Sequence, residues 1–161
     1  EVVTQDEHDE AMACQFQAIS HPWLAEIIDS KSARFEQFIC AHLDDVKCRA
    51  KIDMLLPDMV VDLKTAADAS PEAFKRSIYR YDYHAQLAMY ADLAGVDEAY
   101  LAVIETGGSH QVAIYRLSQG MLEEGREIYQ KALAGYAGCA DFHDELRSEA
   151  FPSYPNQPVI I

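Results

Sequence analysis

The strongest constraint in this sequence is a run of strict alternation from Val46 to Met54. Val46, Cys48, Ala50, Ile52 and Met54 are apolar, and Lys47, Arg49, Lys51 and Asp53 stand between them. A period of two fits a half-buried strand with one charged face and does not fit a helix, because successive strand side chains leave opposite faces. Leu56-Pro57-Asp58-Met59 then supplies a turn, and VVDLKT follows as a short strand rich in β-branched residues. If the hairpin closes with Leu55 opposite Val60, antiparallel register places Asp53 across from Asp62 and Lys51 across from Lys64. All four side chains would then share one face.

Two carboxylates facing each other across a strand pair repel, and such a pair is normally destabilising. A bound divalent cation reverses that sign. Hard oxygen ligands from two acidic residues suit Mg²⁺ or Mn²⁺, with water and a substrate phosphate completing the octahedron. A lysine two residues beyond the second carboxylate can hold an attacking water or the charge developing on phosphorus. Asp53, Asp62 and Lys64 are therefore the candidate catalytic residues of a phosphodiester hydrolase. An isolated Asp-x-Lys triplet also arises by chance as a solvated strand face with a weak ion pair.

The rest of the chain frames this hairpin. Residues 6–30 place Ala11, Phe16, Ile19, Leu24 and Ile27 among polar residues and predict one or two helices broken at His21-Pro22. FEQFIC, residues 35–40, predicts a strand with a turn near Asp44-Asp45. Ser70-Pro71 predicts the N-cap and first residue of a helical stretch to about residue 94, interrupted around Tyr81 to Tyr83 and ended by Gly95. Residues 99–105 and 111–117 predict a hairpin across Gly107-Gly108, and Ser118 caps a long helix with Leu117 and Leu122 as a hydrophobic staple. FPSYPNQPVII, with three prolines between Pro152 and Pro158, excludes a regular helix, so residues 150–161 are expected to be an extended tail.

The expectation is one α/β (α+β) domain over residues 1–161, a mixed central sheet flanked by helices, belonging to a longer chain. The opening residues show no signal peptide and no apolar run is long enough for a membrane span, so a cytoplasmic location is expected. Cys14, Cys40, Cys48 and Cys139 form no CxxC or zinc-finger spacing and are read as small apolar residues.

A net charge of −14 runs against nucleic-acid binding, where Lys and Arg must neutralise phosphates. The distribution tells otherwise. Residues 31–80 hold nine basic and eight acidic residues, a net of +1 that leaves −15 for the remainder. Within that segment Lys75, Arg76 and Arg80 interleave with Tyr79, Tyr81 and Tyr83, a mixture that contacts phosphates and stacks on bases, or else an amphipathic helix whose tyrosines pack on the sheet. Arg49 and Lys51 bring further basic groups to the other side of the proposed metal site.

CRAKIDMLLPDMVVDLKT followed by SPEAFKRSIYRYDYHAQLAMY resembles the PD-(D/E)xK nucleases, most closely the RecE-type exonucleases (exodeoxyribonuclease VIII). The resemblance covers at least residues 20–161 and implies a restriction-endonuclease-like core. It implies that Asp53, Asp62 and the Leu63 backbone carbonyl bind the metal, that Lys64 positions the water, and that Thr65, Gln86 and Tyr90 support the site. Gln86 and Tyr90 lie four residues apart on one helix face; by themselves they would equally be a buried amide with an aromatic packed one turn away. Glu36 has two readings, a group near a second metal position or a solvated strand residue.

The resemblance further implies a Mg²⁺-dependent exonuclease, bacterial or prophage-encoded. It would form a homo-oligomeric ring on double-stranded DNA and digest linear duplex 5′ to 3′ to leave 3′ tails for a single-strand annealing recombinase. The pattern departs at two points. Ile52-Asp53 stands where the family often has Pro-Asp, and the family's upstream metal-binding histidine has no convincing counterpart in His8 or His21, as if the segment carrying it were missing. Two other readings compete. A Cas4-like or restriction-type nuclease shares the core, but the former needs clustered cysteines that this sequence lacks. A non-catalytic nuclease-fold module binding DNA or protein would have no need of the paired carboxylates.

Overall fold

The structure, a computed structural model, describes residues 3–147, with side chains described to residue 138. The expected tail over 150–161 and the side chain of Cys139 lie outside the described residues. In chain order the elements are α1 (Gln5–Ser20), α2 (Pro22–Asp29), β1 (Arg34–Leu43), β2 (Val46–Leu55), β3 (Met59–Ala66), α3 (Pro71–Arg80), α4 (Tyr83–Ala94), β4 (Glu98–Glu105), β5 (Val112–Arg116) and α5 (Gln119–Arg147). Among the described residues no helix is long and apolar enough to cross a membrane.

The strands form one mixed sheet in the order β1-β2-β3-β4-β5, parallel only between β3 and β4. A core of Ile52, Val60, Phe74, Leu87, Leu101, Val103 and Leu122 covers one face beneath α3, α4 and α5. On the other face, Leu24 and Ile27 of α2 pack on Met54, Val61 and Ala102. The expected α+β architecture, a mixed sheet flanked by helices, is the one observed.

Local chemistry sets the element ends. Thr4 and Glu7 close a reciprocal capping box that starts α1. His21, extended because Pro22 follows it, separates α1 from α2. Asp44 and Asp45 both adopt positive φ (48° and 64°), which gives the two-residue turn whose twist matches the strands it joins. β1 accordingly runs to Leu43, three residues beyond the expected end at Cys40. The long helical stretch breaks at Tyr81-Asp82, where Asp82 takes a left-handed conformation. Ser118 Oγ accepts the Met121 N–H at 3.3 Å, and the stapling residues Leu117 and Leu122 are both buried.

Helix α5 approaches α4 closely at Gly125. A Cβ there would lie 2.4 Å from the carbonyl oxygen of His84, so only glycine fits without the helices moving apart. Beside this contact Arg126 donates Nε and Nη2 to Asp92 and Tyr129 donates its hydroxyl to the same carboxylate at 2.5 Å. The contact fixes α4, which carries the side chains that face β3.

Candidate metal centre

The registers Leu55↔Val60 and Met54↔Val61 are those expected from the sequence, and they are the two recorded residue pairs between β2 and β3. Beyond them β3 continues alongside β4 from Met59↔Glu98 to Ala66↔Glu105. The separation coincides with a change of direction in β2. Ile52 packs beneath α4, whereas Met54, two residues on, packs against α2 on the opposite face. At the same level of β1, Phe35 pairs with Met54 and Gln37 with Ile52, while Glu36 between them takes φ 52°. A non-glycine residue at positive φ is uncommon and marks a local distortion.

Asp53 sits at this bend. Its Oδ2 accepts the Leu63 backbone N–H at 2.8 Å, a contact that replaces the ladder bond the diverging strands no longer make. Its side chain lines a recess of about 380 Å³ with Ala18, Leu24, Ile28, Phe35, Glu36, Met54 and Leu63. Asp62 is 3% exposed on β3. Its Oδ2 lies 2.5 Å from Lys64 Nζ, so the buried carboxylate and the ammonium form a close ion pair. Burial holds the Asp62 carboxyl above the usual carboxylate range, Lys64 opposes this, and the neighbouring Asp53 charge adds to the rise.

Lys64 is held from three sides. Besides Asp62, its ammonium donates to Gln86 Oε1 at 3.2 Å and lies 4.7 Å from the centre of the Tyr83 ring. Gln86 in turn donates Nε2 to the Tyr90 hydroxyl at 2.9 Å. The i, i+4 spacing on α4 thus becomes a relay from Tyr90 through Gln86 to Lys64. Neither expectation for the interleaved tyrosines, base stacking or packing on the sheet, includes the support that Tyr83 gives to Lys64, and only the fold brings this ring to the lysine.

Lys51 does not face Lys64, which corrects the expectation of four side chains on one surface. The β2–β3 ladder ends before reaching it, and Lys51 instead pairs with Glu36 and lies 5.9 Å from the centre of the Phe38 ring. Arg49, opposite Cys40, is exposed on the same outer part of the hairpin. Glu36 is exposed and ion-paired with Lys51, and it also lines the Asp53 recess. Thr65 is exposed and lines a second recess with Phe74, Tyr81 and Tyr83. Lys75, Arg76 and Arg80 are exposed on α3, and Arg80 lies 5.5 Å from the centre of the Tyr81 ring. His8 is exposed on α1, and His21 stands at the α1–α2 junction with its Nδ1 closed off and unpartnered.

A buried carboxylate beside a second carboxylate at a distorted strand, with one lysine paired to the first, suits a divalent cation. Asp53, Asp62 and the Leu63 carbonyl could supply its protein ligands, all hard oxygen.

A mixed sheet bearing one Asp at the bend of a strand and Asp-x-Lys on the next defines the PD-(D/E)xK class of nuclease folds. The family described as the PDDEXK-like domain of unknown function (DUF3799) matches residues 24–146, and the chain belongs to that family. A crystal structure of a "putative exonuclease" from Eubacterium rectale superposes with a TM-score of 0.71 and 14% identity, covering 97% of this chain and 67% of that one. A phage related exonuclease from Haemophilus somnus 129PT aligns over 84% of this chain and 75% of that one, with 10% identity and a TM-score of 0.47. No curated protein matches the sequence.

Proposed function

We propose that this chain carries the metal-binding core of a Mg²⁺-dependent deoxyribonuclease acting on linear double-stranded DNA. The observation that carries the reading is Asp62, a buried carboxylate paired with Lys64 and close enough to Asp53 to feel its charge. The membership in a PDDEXK-like family supports it.

Asp53, Asp62 and the Leu63 carbonyl would hold Mg²⁺, with Mn²⁺ as an alternative, and the ion would supply Lewis acidity toward a phosphodiester and acidify a water. Lys64 has its own part. Its ammonium, fixed by Gln86 and Tyr83, would orient the attacking water and offset charge on the phosphate oxygens. Tyr90 holds Gln86, so the lysine is positioned before substrate arrives. The exposed Lys75, Arg76 and Arg80 would contact phosphates on the α3 side, with Arg49 and Lys51 on the hairpin. A 5′-to-3′ exonuclease in a homo-oligomeric ring, making 3′ tails for an annealing recombinase, is the finer form of this proposal and rests on the family resemblance.

The test is digestion of linear and closed-circular duplex DNA by the full-length protein with Mg²⁺, beside Lys64→Ala. Loss of the linear DNA alone, abolished in the variant, supports the exonuclease reading. Survival of linear DNA, or equal digestion by the variant, overturns the catalytic reading; cutting of the circle replaces exonuclease with endonuclease.

A further inference from the structure

A second group of metal-competent side chains lies away from Asp53 and Asp62. Glu10 and Cys14 stand one turn apart on α1, and His110 comes from the loop between β4 and β5. One donor atom from each lies within 4.8 Å of the other two. Glu10 is oriented by the loop itself, since its Oε1 accepts the Gly107 N–H at 2.6 Å and its Oε2 lies 3.0 Å from His110 Nε2. That nitrogen is closed off from solvent and meets the Glu10 carboxylate. Cys14 is buried, and its Sγ has only a long contact of 4.0 Å to the Glu105 carbonyl.

The loop accepts strain to place the imidazole. His110 takes φ 52°, a conformation that a side chain larger than glycine adopts at a cost. Gly107 and Gly108 just before it also have positive φ (75° and 93°), which brings the loop back over α1. The Glu10 carboxyl is held below the usual carboxylate range by His110 and by the Gly107 N–H, so it offers an anionic oxygen.

We propose that Glu10, Cys14 and His110 form a binding site for a zinc-class divalent cation that cross-links α1 to the β4–β5 loop. Thiolate, imidazole and carboxylate together are a borderline-soft donor set, which selects zinc over magnesium. Donors about 2.0–2.3 Å from zinc stand roughly 3.3–3.7 Å apart on a tetrahedral edge, so the Glu10–His110 pair opens by a few tenths of an ångström and Sγ moves inward. Three protein ligands leave one position for water. The inference is independent of the nuclease reading.

Co²⁺ titration of the chelator-treated, reduced full chain tests it, because a thiolate-to-cobalt charge-transfer band can arise only where a cysteine is a ligand and so excludes the Asp53–Asp62 site. The band should saturate at one equivalent, be lost in Cys14→Ser, persist in Cys40→Ser and disappear as Zn²⁺ displaces cobalt. His110→Ala, on the other element, should weaken cobalt binding at least tenfold. In wild type and in Cys40→Ser, zinc at about a hundredfold excess over its Kd should raise Tm by about 5 °C, and Cys14→Ser and His110→Ala should show about half that shift or less. Absence of the band in wild type, its survival in Cys14→Ser, or unchanged affinity in His110→Ala overturns the site and leaves the three residues as a loop staple.

Discussion

The relay from Tyr90 through Gln86 to Lys64 makes a quantitative prediction about the rate of DNA cleavage. Gln86→Met keeps the length of the side chain and removes the acceptor that stands 3.2 Å from Lys64 Nζ. A hydrogen bond to a charged donor contributes about 1.5–3 kcal/mol. This one is long, so the lower bound applies, and about 1.5 kcal/mol corresponds to roughly a tenfold fall in kcat. KM should hold, since Gln86 reaches the lysine and not the exposed cations of α3. Tyr90→Phe removes only the hydroxyl that steadies Gln86 at 2.9 Å, a neutral bond of about 0.5 kcal/mol at the weak end, and should slow the reaction about twofold. Because the two act in series, the double variant should be no slower than Gln86→Met alone. Steady-state digestion of linear duplex by the full-length protein, with Tm as a folding control, measures all four forms. Additive losses in the double variant, or an effect confined to KM, would refute the relay.

Three further outcomes follow from the same geometry. Asp62 has a raised pKa from burial, so the folded protein binds its proton more tightly than the unfolded chain does; in chelator, the contribution of Asp62 to stability should be fully present below 3.8 and be lost as pH rises through the raised value, opposite in sign to that of the Glu10 carboxyl. Asp62→Asn should lose that decline, and a pH series of Tm in which wild type and variant run parallel would count against it. Gly125→Ala sets a methyl 2.4 Å from the His84 carbonyl and should cost about 1–3 kcal/mol, seen as a Tm lower by roughly 2–12 °C; an unchanged Tm would show that α5 moves freely. Lys51→Ala removes a group paired with Glu36 and should leave kcat within about twofold, against a loss of at least about a hundredfold for Lys64→Ala.

The sequence carried those parts of the fold that are written in neighbouring residues. Alternation from Val46 to Met54 marked β2, the Pro57-Asp58 turn fixed Leu55 against Val60, and His21-Pro22 divided the first helices. β1 runs past Cys40 because Ile39, Ala41 and Leu43 continue one alternating face that packs on the core, a pattern too short to stand out beside the irregular FEQF before it. Lys51 was misplaced for another reason. A register extrapolated along a flat ladder assumes that the strands stay together, and here β3 leaves β2 after two recorded pairs. Contacts between distant segments left no local trace. Tyr83 beneath Lys64 and Glu10 beside His110 are products of how the helices pack on the sheet. Gln86 and Tyr90 were found because a four-residue spacing is a local property of a helix.

The short β2–β3 ladder gives Asp53 a second duty as a clasp. Its carboxylate closes onto the Leu63 amide where the backbone pairing has stopped, so the same side chain that would face a cation also seals the inner end of the β1–β2 arm. Removing it does two things at once: the Leu63 amide proton becomes free to exchange with solvent, and the arm can swing on its remaining anchors. An Asp53 variant that loses activity has therefore lost more than a ligand. Amide exchange at Leu63, compared with that of a Lys64 variant that leaves the clasp shut, would separate a vacant site from an opened sheet.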